Sequence, residues 1–139
     1  MARHGTTGLS VGQPVFGLTD SYHGGGLAEY VAIEARNLAP LPDDVGFTAG
    51  ASLPMPGLTA WQGLFEHGRP QAGQSVLMHG AAGAVGTMVT QLAPEAGAYV
   101  IGTGRAADRQ KTLDVGAIEF VDLENDAPEL AAIAASPSS

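Results

Sequence analysis

Ser75-Val76-Leu77-Met78-His79-Gly80-Ala81-Ala82-Gly83-Ala84-Val85-Gly86, continued by a run that ends Tyr99-Val100-Ile101-Gly102-Thr103-Gly104, is the stretch that decides the fold. A short apolar strand enters a turn built only of Gly and Ala, and the turn opens a helix. Val85, Met88, Val89, Leu92 and Ala93 recur at i, i+3, i+4, i+7 and i+8, which is one apolar face of an α-helix. Tyr99–Ile101 supplies a second apolar strand and closes a β-α-β unit, the setting in which a glycine-rich turn carries meaning.

A dinucleotide pyrophosphate requires main-chain N–H groups without partners at a helix N-terminus and no side chain in the way. Gly83 lets the backbone come close, and Gly86 lets the first helical turn lie against the strand. The pattern is Ala81-x-Gly83-x-x-Gly86, with Ala where the usual fingerprint has its first glycine. Gly80, one residue earlier, is left to make the tight turn. The triplet also reads as a tight turn in any α/β protein; the strand, helix and second strand around it favour the nucleotide reading.

Working outward, the 139 residues have room for one domain of ordinary size. Apolar residues make up 45% and charged residues 14%, so the chain can bury a core and is not a disordered tail. No run of about 18 apolar residues occurs, and no charged start followed by an apolar stretch. Neither a membrane span nor secretion is expected, and a cytoplasmic location is. The absence of cysteine excludes a disulfide framework and a thiolate metal site. A net charge of −8 disfavours a nucleic-acid partner.

Before the central stretch, Val11–Gly17 reads as a turn feeding a strand, Leu27–Ile33 as a strand after the flexible Gly24-Gly25-Gly26, and Leu38–Pro42 as a further extended piece. Phe47–Leu53 reads as a short helix ended by Pro54 and Pro56. Leu58, Trp61, Leu64 and Phe65 share one face of a second helix, with Gly68 to terminate it. After the central stretch come a helix over Ala106–Val115, ended by Gly116, and a strand over Ile118–Asp122. Pro94 should fray or kink the end of the central helix. The expected fold is therefore α/β: the first β-α-β-α-β half of a Rossmann domain over residues 58–122. A β-rich part over 1–57 precedes it and an irregular tail over 123–139 follows.

An NAD site places an acid about 20 positions past the turn, on the ribose 2′-OH. Here the second strand runs out in Gly102-Thr103-Gly104-Arg105, with no acid there. Arg105, Arg109 and Lys111 are three of the six cations of the chain, gathered just after this strand. A 2′-phosphate prefers such groups, so NADPH is favoured over NADH. Asp108 inside the cluster counts mildly against this, and a solvated helix start with ordinary surface cations is the other reading.

With these residues in hand, the sequence resembles the zinc-free, quinone oxidoreductase-like branch of the medium-chain dehydrogenase/reductases, the group that includes zeta-crystallin. The matching segments are Gly25-Gly26-Leu27-Ala28-Glu29-Tyr30, Gly57-Leu58-Thr59-Ala60-Trp61, Val76–Gly86 and Gly97–Arg105, in the family's order. The resemblance implies that the β-rich part is a remnant of a GroES-like substrate domain, and that NADPH passes a hydride to a quinone or the β-carbon of an enone. It places Ala82, Gly83, Ala84, Val85 and Gly86 along the pyrophosphate. Thr103, Arg105 and Arg109 would lie around the adenosine 2′-phosphate, and Thr59 toward the nicotinamide. No catalytic acid is identifiable. Without cysteines, and with His23, His67 and His79 scattered, no metal is expected.

Such enzymes are more than twice as long, so the resemblance implies an incomplete chain. The alternatives are a non-catalytic nucleotide-binding remnant or an enoyl-reductase-like module. The strand at Val76–His79 would keep one edge bare, from which self-association is expected.

Overall fold

The computed structural model describes residues 8–19, 26–126, 128 and 132–133. The chain divides into two compact units, Met1–Met55 and Pro56–Ser139. Among the described residues no helix is long and apolar enough to cross a membrane.

In the first unit β1 (Val15–Gly17) pairs antiparallel with β2 (Leu38–Pro40), Phe16 opposite Ala39. The short helix α1 (Phe47–Ser52) lays Gly50 against the buried Leu41 and against Phe16. The strand expected over Leu27–Ile33 does not form; the segment is irregular, with Leu27 and Tyr30 in water. Alternating apolar residues make a strand only where a neighbouring strand takes up the main-chain donors and acceptors, and none is described beside this one. Gly24 and Gly25 lie outside the described residues.

Pro54 does not merely end α1. It begins a new helix, α2 (Pro54–Trp61), because the first helical position needs no N–H and suits the fixed φ of proline. The helical path then widens into a π-type turn over Gln62–Gly68, and Arg69, not Gly68, takes the left-handed backbone conformation that stops it.

The second unit carries the pattern expected of the central stretch. It consists of β3 (Ser75–His79), α3 (Ala84–Leu92), β4 (Tyr99–Gly104), α4 (Arg109–Asp114) and β5 (Glu119–Asp122). The strands form one parallel sheet in the order β3-β4-β5, with His79 level with Thr103 and Gly104 level with Asp122. At Pro94 the helix tightens into a 3-10 turn over Ala93–Ala96, as a residue without an N–H requires. Alternate strand residues Val76, Met78 and Val100 pack with Val89, Ala93 and Leu92 from the α3 side, and Ala60 and Leu64 complete this core. Thr90 and Thr112 are buried as well, and their hydroxyls donate to the carbonyls of Gly86 and Asp108, one helical turn back.

β5 ends in a hydrogen-bonded turn. The buried Asp122 carboxylate accepts from the side-chain amide of Asn125 at 2.7 Å and from the Glu124 N–H at 3.0 Å. The Asn125 bond, then the Glu124 N–H, hold its pKa below the ordinary carboxylate value, against the opposing effect of burial. Asp126 accepts from the Asp122 N–H and from Arg109. Of the rest of the tail, residues 128, 132 and 133 are helical.

Two outcomes are expected. A Cβ at Gly86 would lie 2.6 Å from both Ala81 Cα and Gly80 O, backbone atoms that cannot step aside. Gly86→Ala should therefore cost about 1–3 kcal/mol by urea denaturation. Gly57→Ala, a helical site with nothing within 4 Å, should be neutral or stabilising; equal effects of the two changes would contradict the packing. Because the folded-state pKa of Asp122 is depressed, the unfolded chain binds more protons as pH falls. The stabilisation is present above about pH 4 and is lost as pH falls through the folded value. Asn125→Ala should thus lower the melting temperature at pH 7, with a deficit that narrows at acid pH.

Candidate functional site

The site is built at the C-terminal end of β3, where the chain must leave the sheet and start a helix within four residues. Gly80 turns it, at φ +69°. Its N–H and that of Ala81 both donate to the carbonyl of Thr103 on β4, at 3.0 and 3.1 Å, which pins the turn to the sheet. Ala81 needs no special backbone conformation and is fully buried. A methyl is tolerated at the first fingerprint position because the neighbouring strand carries Gly102 beside it. A Cβ on Gly102 would come within 2.8 Å of the Ala81 Cβ and 2.5 Å of Thr112 Cγ2.

Gly83 caps α3 in an extended conformation, with its N–H on Gly80 O at 2.9 Å. The first N–H bonded back along the helix is that of Thr87, to Gly83 O. The N–H groups of Ala84, Val85 and Gly86 come before it, and have no acceptor among the described residues. Gly83 and Ala84 are exposed while Ala81 and Gly86 are buried: the floor is packed and the lip is open. Three unpaired donors at the positive end of a nine-residue helix, above a floor without a Cβ, fit an anionic diphosphate.

The remaining candidate residues are distributed as follows. Thr103 is fully buried, and its hydroxyl lies 2.9 Å from His79 Nδ1, so it supports the turn from within the sheet. Arg105 is exposed just past β4, with Nε 3.7 Å from Asp108 Oδ2. Arg109 lies with its guanidinium 5.2 Å from the centre of the Phe120 ring and donates to Asp126 Oδ2 at 3.2 Å. Both guanidiniums are thus matched by carboxylates. Thr59 is exposed on α2, next to the buried Ala60.

Sequence reasoning missed one member of this neighbourhood, Gly102, and placed another, Lys111, with the arginines after β4 and not at the turn. Gly102 was read only as part of a strand, although a glycine inside an apolar strand is itself a sign of close backbone approach. Lys111, one turn into α4, reaches the turn and donates from Nζ to Ala82 O at 2.6 Å. Nothing in a sequence spacing of 29 residues announces that contact. Among the described residues, no cluster of three or more His, Cys, Asp or Glu side chains could hold a metal.

No known protein-family model matches the chain. It is 41% identical over 87 residues to the quinone oxidoreductase of Mus musculus, covering 63% of this chain and 26% of that protein. It is 37% identical over 105 residues to highly-reducing polyketide synthase 1 of Aureobasidium melanogenum, 76% of this chain and 5% of the synthase. Among solved structures, the quinone oxidoreductase of Coxiella burnetii superposes with a TM-score of 0.81 at 30% identity, over 89% of this chain and 39% of that one. The quinone oxidoreductase of Escherichia coli, solved in complex with NADPH, gives 0.66 at 31% identity, over 73% and 32%. The chain thus spans about a quarter of the mouse protein and two fifths of the Coxiella structure. The parallel β3-β4-β5 sheet, the glycine turn pinned to β4 and these likenesses agree: over the part it spans, the chain resembles the quinone oxidoreductase-like medium-chain dehydrogenase/reductases.

Proposed function

We propose that this chain binds NADPH at the turn between β3 and α3 and belongs to an oxidoreductase that reduces a quinone or an α,β-unsaturated carbonyl. The observation that carries the reading is the bare cradle: three unpaired N–H groups over a floor that Gly86 keeps clear of a Cβ. The NADPH complex of the E. coli protein supports the choice of ligand. In this reading the backbone of Gly80 and of Ala82, Gly83, Ala84, Val85 and Gly86 follows the diphosphate, and Thr103 holds the turn in place. Arg105 and Arg109 stand at the ends of β4 and α4 to receive the ribose 2′-phosphate, exchanging Asp108 and Asp126 for it. Thr59 faces the nicotinamide end. When bound, the cofactor supplies the hydride; this chain's own residues bind and orient it. The reaction is taken as zinc-independent, since the chain has no cysteine, and a cytoplasmic location suits that composition.

A second reading, with an enoyl thioester as the acceptor, is favoured by the likeness to a highly-reducing polyketide synthase over three quarters of the chain. A non-catalytic nucleotide-binding role is separated from both by assay of hydride transfer.

Fluorescence titration of the chain with NADPH and NADH tests the binding. NADPH should bind at least about tenfold more tightly, a difference of about 1.4 kcal/mol, and Arg105→Ala with Arg109→Ala should erase that preference. Equal weak binding of both nucleotides would falsify the role of the two arginines. Among the described residues β3 pairs on one side only, with β4. The same reading therefore includes self-association through its bare edge. Light scattering at tens of micromolar, an order-of-magnitude choice, should report species larger than a monomer, and a sharp monomer peak would contradict it.

A further inference from the structure

Three cations follow β4, and the structure sorts them. Arg105 lies beside Asp108, and Arg109 is bonded to Asp126. Lys111 makes no ion pair among the described residues, and its ammonium is held instead by a neutral acceptor, the carbonyl of Ala82, at 2.6 Å. That carbonyl belongs to the residue just before the cap of α3. The one cation of the cluster without an ion pair among the described residues is therefore fixed at the glycine turn and not at the end of β4 or the start of α4, where the arginines stand.

An ammonium has three donors. Ala82 occupies one and leaves two for a ligand. The turn itself offers only neutral N–H groups, worth about half a charge at the helix terminus, whereas a diphosphate bridge carries a charge on each phosphate. A lysine acts on phosphate as a point charge and needs no fork geometry. Tethering its head to the turn fixes that charge next to the unpaired donors of Ala84, Val85 and Gly86.

We infer that Lys111 is a pyrophosphate-binding residue, which supplies the full positive charge that the main-chain cradle lacks. Its role differs from that of Arg105 and Arg109: it acts on the part common to NADPH and NADH and does not discriminate between them. This rests on the dinucleotide reading above.

The test uses the full chain and its Lys111→Met and Lys111→Arg variants, titrated with NADPH and NADH and with inorganic pyrophosphate as competitor. Lys111→Met should weaken both dinucleotides by the same factor, about five- to tenfold, given an exposed charge. The NADPH to NADH ratio should stay unchanged, pyrophosphate should compete less well, and Lys111→Arg should restore most of the affinity. Urea midpoints should stay level, since the Lys111 side chain is exposed. If the wild type binds the dinucleotides and Lys111→Met binds them equally well, the inference fails alone. It fails likewise if only NADPH is weakened, which assigns Lys111 to the 2′-phosphate. A parallel loss of stability that arginine does not repair makes Lys111 a structural strap and overturns the binding role. If the wild type binds neither dinucleotide, the dinucleotide reading falls and takes this inference with it.

Discussion

Ala81 is packed between two glycines, Gly86 on the helix side and Gly102 on the neighbouring strand, and the approach of these three backbones holds the second unit together. A Cβ on either glycine would come within 3 Å of Ala81. Because neither has one, α3 begins directly on the sheet, and its first turn lies over the C-terminal end of β3. From that contact follow the position of the helix, the burial of Val89 and Ala93 against Val76 and Val100, and the outward direction of the unpaired N–H groups. Close packing tolerates no extra methylene at such a point.

The same contact explains how Ala81 stands where the usual fingerprint has glycine. The sharp reversal of the chain has moved one residue back, to Gly80, which alone in the turn takes a positive φ. What the first glycine supplies elsewhere is divided here: Gly80 turns the chain, and Gly102 makes room for the methyl that Ala81 brings. Thr103 then fastens the arrangement, since its carbonyl accepts from both Gly80 and Ala81 and its hydroxyl meets His79. A buried polar residue with every group engaged makes the turn specific.

Charge is arranged around this cradle in two tiers. At the end of β4 and the start of α4 each guanidinium has a carboxylate neighbour. At the turn Lys111 is held by a carbonyl and makes no ion pair among the described residues. The carboxylates also serve the fold. Asp126 caps the Asp122 N–H while it holds Arg109, and Asp122 orders the turn after β5 through Glu124 and Asn125.

The sequence by itself determined the β-α-β-α-β order, the turn with its glycines and the family resemblance, because those depend on local periodicity and on residues adjacent in the chain. It also located the tightening at Pro94, where a missing N–H acts within one turn. It misjudged Leu27–Ile33, whose alternation lacked a partner strand, and Pro54, which begins a helix instead of only ending one. Only the tertiary structure decided that Gly102 accommodates Ala81, that Asp126 holds Arg109, and that Lys111 reaches Ala82. Each of these joins residues brought together by the crossover between parallel strands. Contacts across that distance depend on the register of the sheet and the direction of a side chain, and neither is written in the spacing of the residues that meet.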